Sequence, residues 1–137
     1  MNRRDFLALT TAVTLALPMA AQAESLDYTP AILKADLAAG KTVILHFAAT
    51  WCGTCQVQAR VMANLKSANP AYDKSLTFLN VDWDTYTGGD LTKQLNVPER
   101  STIVVLKGAK EIGRLNAETA KDPIKALLDT ALQAATS

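Results

Sequence analysis

The stretch of sequence that decides the fold is VILHFAATWCGTC, residues 43–55. Its first part, Val43 to Ala48, is an apolar run of strand length, which is typical of a strand buried on both faces. The residues after the second cysteine, 56–68, predict a helix. The sequence therefore places Cys52 and Cys55 at the junction between a buried strand and a helix.

The position of this cysteine pair favours redox chemistry. Cys52 falls at the predicted helix N-terminus, where unpaired backbone N–H groups and the helix dipole favour a thiolate over a thiol. Cys55 lies about one turn further along, where it can reach back to Cys52 and is expected to be more covered. Because a thiolate attacks disulfides, Cys52 can capture a partner disulfide and Cys55 can then displace the partner, and the oxidising direction runs these steps backwards.

Three other interpretations of the pair are weighed against this one. A structural disulfide between residues three apart would close so small a loop that the chain-entropy model gives about 2 kcal/mol, against about 4 kcal/mol for a loop of some 50 residues. A closed zinc site takes four Cys or His ligands, but the chain has two cysteines and one histidine, so a metal would need a dimer or borrowed ligands. A chance occurrence of the spacing is disfavoured by the strand-to-helix context.

Outward from this stretch, the sequence predicts an α/β domain. The predicted order is helix, strand, helix, strand, helix, strand, strand, helix, with helices at 31–39, 56–68, 91–95 and 122–135 and strands at 43–48, 76–81, 102–106 and 111–115. The first helix has an N-terminal Thr29-Pro30 cap and Gly40 after its end, and the last two strands form a hairpin. This order predicts a mixed central β-sheet flanked by helices on both faces.

The N-terminal residues 1–23 are typical of a targeting segment. Arg3 and Arg4 precede an apolar stretch, and Ala-Gln-Ala at 21–23 is a small-x-small cleavage site, so the mature domain is expected to span residues 24–137. The RRDFL sequence at 3–7 is similar to the twin-arginine export motif, with a general secretory signal as the alternative. Export through a cleaved signal predicts a periplasmic protein, in a compartment where disulfides persist.

Composition excludes several classes of function. A chain of 137 residues makes one ordinary domain. A formal net charge of +1 provides no basic face, so no nucleic-acid partner is expected. After the N-terminal segment no stretch reaches the roughly 18 to 20 apolar residues of a membrane span. No second acid, nucleophile or phosphate-binding loop supports another chemistry, and no cofactor or bound metal is expected.

In its cysteine motif, in LNVD at 79–82 and in STIVVLK at 101–107, the chain resembles the thioredoxin superfamily, and specifically its exported bacterial members. The resemblance covers roughly residues 29–134. It implies a thioredoxin-like fold and thiol–disulfide oxidoreductase activity on protein substrates that carry thiols or disulfides. A membrane redox partner and a monomeric state are expected as well.

The resemblance also implies roles for residues of the cysteine motif. Cys52 would attack, Cys55 would resolve the mixed disulfide, and together they would form the redox-active disulfide. The residues expected to contact the substrate here are Trp51, Gly53 and Thr54. Because thioredoxin has a proline where this chain has Thr54, we expect a more oxidising couple.

A second departure from the family is His46, six residues before the first cysteine. The family usually has a buried acid there, which is thought to assist proton transfer at the resolving cysteine. An imidazole could do the same near neutral pH, which makes His46 a proton-transfer candidate. The alternative is a core histidine satisfied by its neighbours. The lysine that usually accompanies the acid is replaced by Phe78.

A third departure is Ser101, which aligns with the cis-proline that faces the cysteines in most family members. A cis bond before serine would cost about 2.5–4 kcal/mol, so the Arg100–Ser101 bond is expected to be trans. In a shifted alignment Pro98 would be the cis-proline instead. In the family this segment pairs with the partner's peptide, so Arg100, Ser101 and Thr102 are expected to line the substrate surface.

Other candidates carry less weight. Trp83 and Tyr86 would form a partner-binding rim or pack against the sheet, and Asp82 and Asp84 are interpreted as surface or capping carboxylates. A different class of function is a binding module in which the two thiols, with or without His46, capture a soft metal such as copper for delivery.

Overall fold

The computed structural model describes residues 25–137, so the predicted signal segment 1–23 and its cleavage site lie outside the described residues. The elements in chain order are β1 (Leu26–Asp27), α1 (Pro30–Ala38), β2 (Thr42–Ala48), α2 (Gly53–Ala68), α3 (Ala71–Ser75), β3 (Leu76–Asp82), α4 (Trp83–Tyr86), α5 (Asp90–Gln94), β4 (Thr102–Lys107), β5 (Lys110–Asn116) and α6 (Lys121–Thr136). None of the helices within residues 25–137 combines the length and apolar character needed to cross a bilayer.

The strands form one five-stranded sheet in the order β1-β3-β2-β4-β5. The central strand β2 pairs in parallel with β3 and antiparallel with β4. Successive residues of β2 from Thr42 to Phe47 are all buried, as expected for a strand covered on both faces. The predicted mixed sheet is therefore confirmed.

Helices cover both faces of this sheet. On one face Ile44 of β2 lies in a core with Leu65 of α2 and Leu128 of α6. On the other face Leu45 lies in a core with Leu33 of α1, together with residues of α5. Because alternate residues of a strand point to opposite faces, β2 supplies both cores. Each fully buried side chain of this size contributes about 1.5–3 kcal/mol.

All eight predicted elements are present, with ends shifted by up to three residues. Thr29 caps α1 through a hydrogen bond from the N–H of Ile32 to its Oγ1 at 3.2 Å, and Gly40 has a φ of 77° after the helix, as the sequence indicates. The sequence misses β1, α3 and α4. Strand β1 is only two residues long. Helix α3 follows Pro70, a residue from which only the end of α2 was predicted.

Three chain segments meet at one edge of the sheet. Strands β2 and β3 are parallel, so both deliver their carboxyl ends to this edge. Strand β4 runs the other way and begins there, with Thr102 paired to Phe47. The cysteine motif after β2, the helix α4 after β3 and the residues before β4 are therefore neighbours.

Candidate active site

The cysteine pair lies where the sequence predicts it, between β2 and α2. Cys52 is the N-cap residue of α2, and its Sγ accepts a hydrogen bond from the N–H of Cys55 at 3.1 Å. The two residues are joined by a disulfide, with their Cα atoms 5.3 Å apart. Because N–H groups at a helix N-terminus stabilise negative charge, this geometry suits a thiolate at Cys52 once the disulfide is reduced.

The two cysteines are almost equally covered. Cys52 is 4% exposed and Cys55 is 2% exposed, so the expected difference in exposure is small. The side chain of Trp83 packs against the buried cluster that they form. Trp51, by contrast, is 59% exposed, and Gly53 is exposed with open space where a Cβ would lie. A partner can therefore approach the disulfide over these two residues.

Ser101 lies against the disulfide. Its Oγ is 3.2 Å from the Sγ of Cys52 and 3.1 Å from the Sγ of Cys55. Its φ of 63° lies in the left-handed region, which residues other than glycine seldom adopt. Its N–H donates to the C=O of Phe47 at 2.7 Å, and its C=O accepts from the N–H of Ala117 at 2.8 Å. These backbone bonds hold the side chain at both sulfurs.

The segment before β4 corrects part of the predicted substrate surface. Within residues 25–137 no peptide bond is cis, so the Arg100–Ser101 bond is trans as expected, and Pro98 is not a cis-proline. Thr102 is 0% exposed, and its hydroxyl donates to the C=O of Glu99 at 2.8 Å. The expectation that Thr102 lines the surface is therefore wrong, because β4 begins there and pairs it inside the sheet. Ser101, 4% exposed, faces the sulfurs instead of solvent.

Of these three residues, Arg100 is the one that reaches the surface, and it does so beside Trp51. Its guanidinium carbon is 4.6 Å from the centroid of the indole ring, within range of a cation–π interaction. The indole N–H of Trp51 points to the carboxylate of Asp84, with its Nε1 at 2.9 and 3.2 Å from the two oxygens. The exposed indole is thus held between a carboxylate at its edge and a cation on its face.

His46 belongs to a buried chain of hydrogen bonds. The amide nitrogen of Gln58, which is fully buried, donates to the C=O of Ser101 and to the C=O of Glu118, each at 2.9 Å. These bonds leave the amide oxygen of Gln58 facing the Nε2 of His46 at 3.0 Å. Because that oxygen can only accept, His46 carries its proton on Nε2. Burial lowers the pKa of His46, and the hydrogen bond with Gln58 opposes this shift.

This geometry matches the alternative given for His46, a core histidine satisfied by a neighbour. In the described part of the chain no hydrogen bond joins His46 to either cysteine, and its Nε2 is committed to Gln58. A role in proton transfer stays a prediction. Beside it, Phe78 lies under the ammonium group of Lys66, whose Nζ is 4.2 Å from the ring centroid.

The remaining sequence candidates take ordinary structural positions. Thr54 is half-buried in the first turn of α2. Tyr86 packs edge-on against Tyr28, with ring centroids 4.8 Å apart, and Trp83 joins the same core beside the sheet. Asp82 accepts a hydrogen bond from the hydroxyl of Thr85. Trp83 and Tyr86 therefore pack against the sheet, which was the alternative to a binding rim.

Among residues 25–137 no three or more His, Cys, Asp or Glu side chains lie close enough together to hold a metal ion. The sulfur pair has the hydroxyl of Ser101 next to it. No observation in the described residues favours the copper-delivery alternative.

Sequence reasoning did not single out Gln58, and for Asp84 it predicted a surface or capping carboxylate without the contact to Trp51. Gln58 had a signal: it lies on the same face of α2 as Cys55, Met62 and Leu65, which are all buried, so a glutamine at that spacing points to a buried amide. Asp84 had none, because its contact with Trp51 joins residues 33 apart in sequence.

The comparisons with known proteins identify the family of this chain. The sequence model of the thioredoxin family matches residues 24–130. The chain is 30% identical to thioredoxin of Alicyclobacillus acidocaldarius subsp. acidocaldarius over 93 residues, which cover 68% of this chain and 84% of that protein. It is 34% identical to thioredoxin H9 of Arabidopsis thaliana over 76 residues, 56% of this chain and only 50% of that protein. The crystal structure of Trxlp from Edwardsiella tarda EIB202 superimposes with a TM-score of 0.65 at 28% identity, covering 77% of this chain and 96% of that one.

Proposed function

This chain belongs to the thioredoxin family and is a thiol–disulfide oxidoreductase, and we propose that it exchanges disulfides with exported proteins in the bacterial periplasm through Cys52 and Cys55. One observation carries the assignment of the two cysteines. The Sγ of Cys52 caps α2 and accepts the N–H of Cys55, with the second sulfur bonded to it. This arrangement supports Cys52 as the attacking group and Cys55 as the resolving group.

The reaction in the reducing direction takes two steps. The thiolate of Cys52 attacks one sulfur of a partner disulfide, so that a mixed disulfide forms and the other partner sulfur leaves as a thiolate. The thiolate of Cys55 then attacks the Sγ of Cys52, so that the Cys52–Cys55 bond forms and the first partner sulfur leaves. The protein dithiol loses two electrons and the partner disulfide gains them. Oxidation of a partner runs both steps in reverse.

The contact with the partner is proposed to centre on Trp51. Its exposed ring lies next to the first cysteine and is fixed by Asp84 and Arg100. Gly53 has no side chain that would stand between a partner and the sulfurs, and Thr54 lies one residue further along. We propose that the protein works as a monomer and exchanges electrons with a membrane redox partner.

The experiment that tests the redox function is a titration of the purified protein against glutathione. We expect one reversible two-electron couple, and we expect Cys52→Ala to abolish the reduction of insulin. Cys55→Ala is the matched variant: it should still form a mixed disulfide and accumulate it, because the second step is lost. Insulin reduction by Cys52→Ala at the wild-type rate would rule out the proposed roles.

The same purified protein discriminates metal delivery from redox exchange. Stoichiometric copper that is lost in Cys55→Ala would support the delivery alternative, and metal-free protein with a reversible couple would support exchange. The measured reduction potential also indicates whether the protein reduces or oxidises its partners, because a value near −120 mV is typical of an oxidant and one near −270 mV of a reductant.

The periplasmic location rests on the N-terminal sequence and has its own test. Fractionation of cells should recover the protein in the periplasm, with a new N-terminus at Glu24. Replacing Arg3 and Arg4 by lysine should block export if the twin-arginine route is used and leave it intact if the general secretory route is used. Recovery of uncleaved protein in the cytoplasm would contradict the localisation.

A further inference from the structure

We propose that Ser101 is a catalytic hydrogen-bond donor, whose hydroxyl stabilises the thiolate of whichever cysteine carries the charge during disulfide exchange. The inference rests on the proposed function of Cys52 and Cys55. It assigns to Ser101 a part in the chemistry itself instead of contact with the substrate surface.

The geometry of the oxidised site carries the proposal. The Oγ of Ser101 lies at hydrogen-bond distance from both sulfurs, 3.2 Å from Cys52 and 3.1 Å from Cys55. Neither sulfur of a disulfide carries a proton, so the hydroxyl is the donor. Cys52 also accepts the N–H of Cys55. In the part of the chain that the structure describes, the sulfur of Cys55 has no donor other than Ser101.

The backbone holds this hydroxyl in place. The φ of 63° at Ser101 is one that a residue with a side chain keeps only where its surroundings impose it. Both backbone polar groups of Ser101 are bonded within the chain, its N–H to Phe47 and its C=O to Ala117 and Gln58. None of these bonds involves the cysteines, so opening the disulfide leaves them intact.

The hydroxyl can donate a hydrogen bond to the charged sulfur in both steps. While Cys52 is the attacking thiolate, Ser101 donates to it. Once Cys52 is bonded to the partner sulfur, the charge needed for the second attack sits on Cys55, and the same hydroxyl can donate to that sulfur. The hydroxyl transfers no proton and forms no covalent bond; the electrons move only between sulfurs.

The hydroxyl is expected to favour the reduced form. A hydrogen bond to an anion is roughly twice as strong as one between neutral groups. Both sulfurs are neutral in the disulfide, whereas one of them is a thiolate in the reactive reduced form. Burial strengthens this difference, because Ser101 is 4% exposed. Removing the hydroxyl should therefore make the couple more reducing. We expect its equilibrium constant with glutathione to change by about tenfold, which corresponds to about 30 mV for two electrons.

The test compares Ser101→Gly with a matched control, Asn96→Gly. Glycine accepts a positive φ without strain, so Ser101→Gly removes the hydroxyl while the backbone can keep the same conformation. Asn96 also has a positive φ, 50°, and is exposed, so Asn96→Gly reports the effect of a glycine alone. Two quantities are measured: the reduction potential against glutathione, and the thiolate fraction from absorbance at 240 nm as pH is varied.

We expect Ser101→Gly to lower the potential by about 30 mV and to need a higher pH for half-formation of the thiolate, with Asn96→Gly like wild type. A wild-type potential and thiolate titration in Ser101→Gly would overturn the proposal, as would equal shifts in both variants. If Ser101→Gly does not fold, carbon NMR of the wild-type protein takes its place: the chemical shift of the Ser101 Cβ should change with pH together with the thiolate. A Cβ shift that does not follow the thiolate would overturn the proposal. A wild-type protein without a two-electron couple would instead refute the proposed function, so the two failures are distinguishable.

Discussion

Replacing Gln58 by methionine tests the buried hydrogen-bond chain that joins His46 to the cysteine site. Methionine has a similar length and volume but has no amide. The substitution removes three hydrogen bonds, to the Nε2 of His46 and to the carbonyl oxygens of Ser101 and Glu118. It adds no charge and demands no new space, so the change in stability reports these bonds.

The three lost bonds do not cost the same. The carbonyl of Ser101 keeps its bond from the N–H of Ala117, and Glu118 is half-buried, so water can reach its carbonyl. The Nε2–H of His46 gains no replacement acceptor from water, because this residue is only 7% exposed. A buried donor left without a partner costs about 1–3 kcal/mol. With smaller contributions from the two carbonyls, we expect Gln58→Met to lower the free energy of unfolding by about 3 kcal/mol.

The assay is guanidinium unfolding of the oxidised protein at pH 8, followed by tryptophan fluorescence. The control is Gln133→Met on the exposed side of α6, which should stay within about 0.5 kcal/mol of wild type. Replacing His46 by leucine as well should recover at least about 1 kcal/mol relative to the sum of the single changes, since the orphaned donor is then gone. A loss in Gln58→Met no larger than in Gln133→Met would refute the hydrogen-bond chain.

Three further predictions concern the titration of His46, the hydrophobic core and the exposed indole of Trp51. Burial lowers the pKa of His46 below 6.5, so below pH 6.5 the unfolded chain binds a proton that the folded chain resists. Stability should fall by up to about 1.4 kcal/mol per pH unit towards the folded pKa, and urea unfolding of His46→Gln from pH 7.5 to 5 should lack that slope. Leu128→Ala, at a site with 0% exposure, should cost about 2–5 kcal/mol in urea unfolding, and a cost below about 1 kcal/mol would contradict its place in the core. Asp84→Ala in a Trp83→Phe background should lower the fluorescence anisotropy of Trp51, and an unchanged value would show that the carboxylate does not hold the indole.

The features that the sequence predicts well are those decided by neighbouring residues. The apolar run of β2 and the helix after it place Cys52 and Cys55 correctly, because strand and helix are both encoded within about 25 residues. The cap at Thr29 and the positive φ of Gly40 are also local, since each depends on one side chain or on the lack of one.

The features that it misses depend on residues distant in the chain. The burial of Thr102 follows from the register of β4 against Phe47, 55 positions earlier, which a strand pattern alone does not give. The bond from Gln58 to the carbonyl of Ser101 spans 43 residues. Alignment indicated that Ser101 faces the cysteines, but the contact of its hydroxyl with both sulfurs depends on a backbone conformation that these long-range bonds impose.

The hydrogen-bond chain that links the sulfurs to the interior carries no charge when His46 is unprotonated. Ser101 and Gln58 have no group that titrates near neutral pH, and burial lowers the pKa of His46, which favours its neutral form. A neutral hydrogen-bond chain avoids the desolvation cost of a buried charge, which is several kcal/mol per ion. Its electrostatic effect on the cysteines therefore stays constant over the pH range in which His46 is neutral. In that range, changes in the exchange rate with pH do not come from a charge that appears on this hydrogen-bond chain.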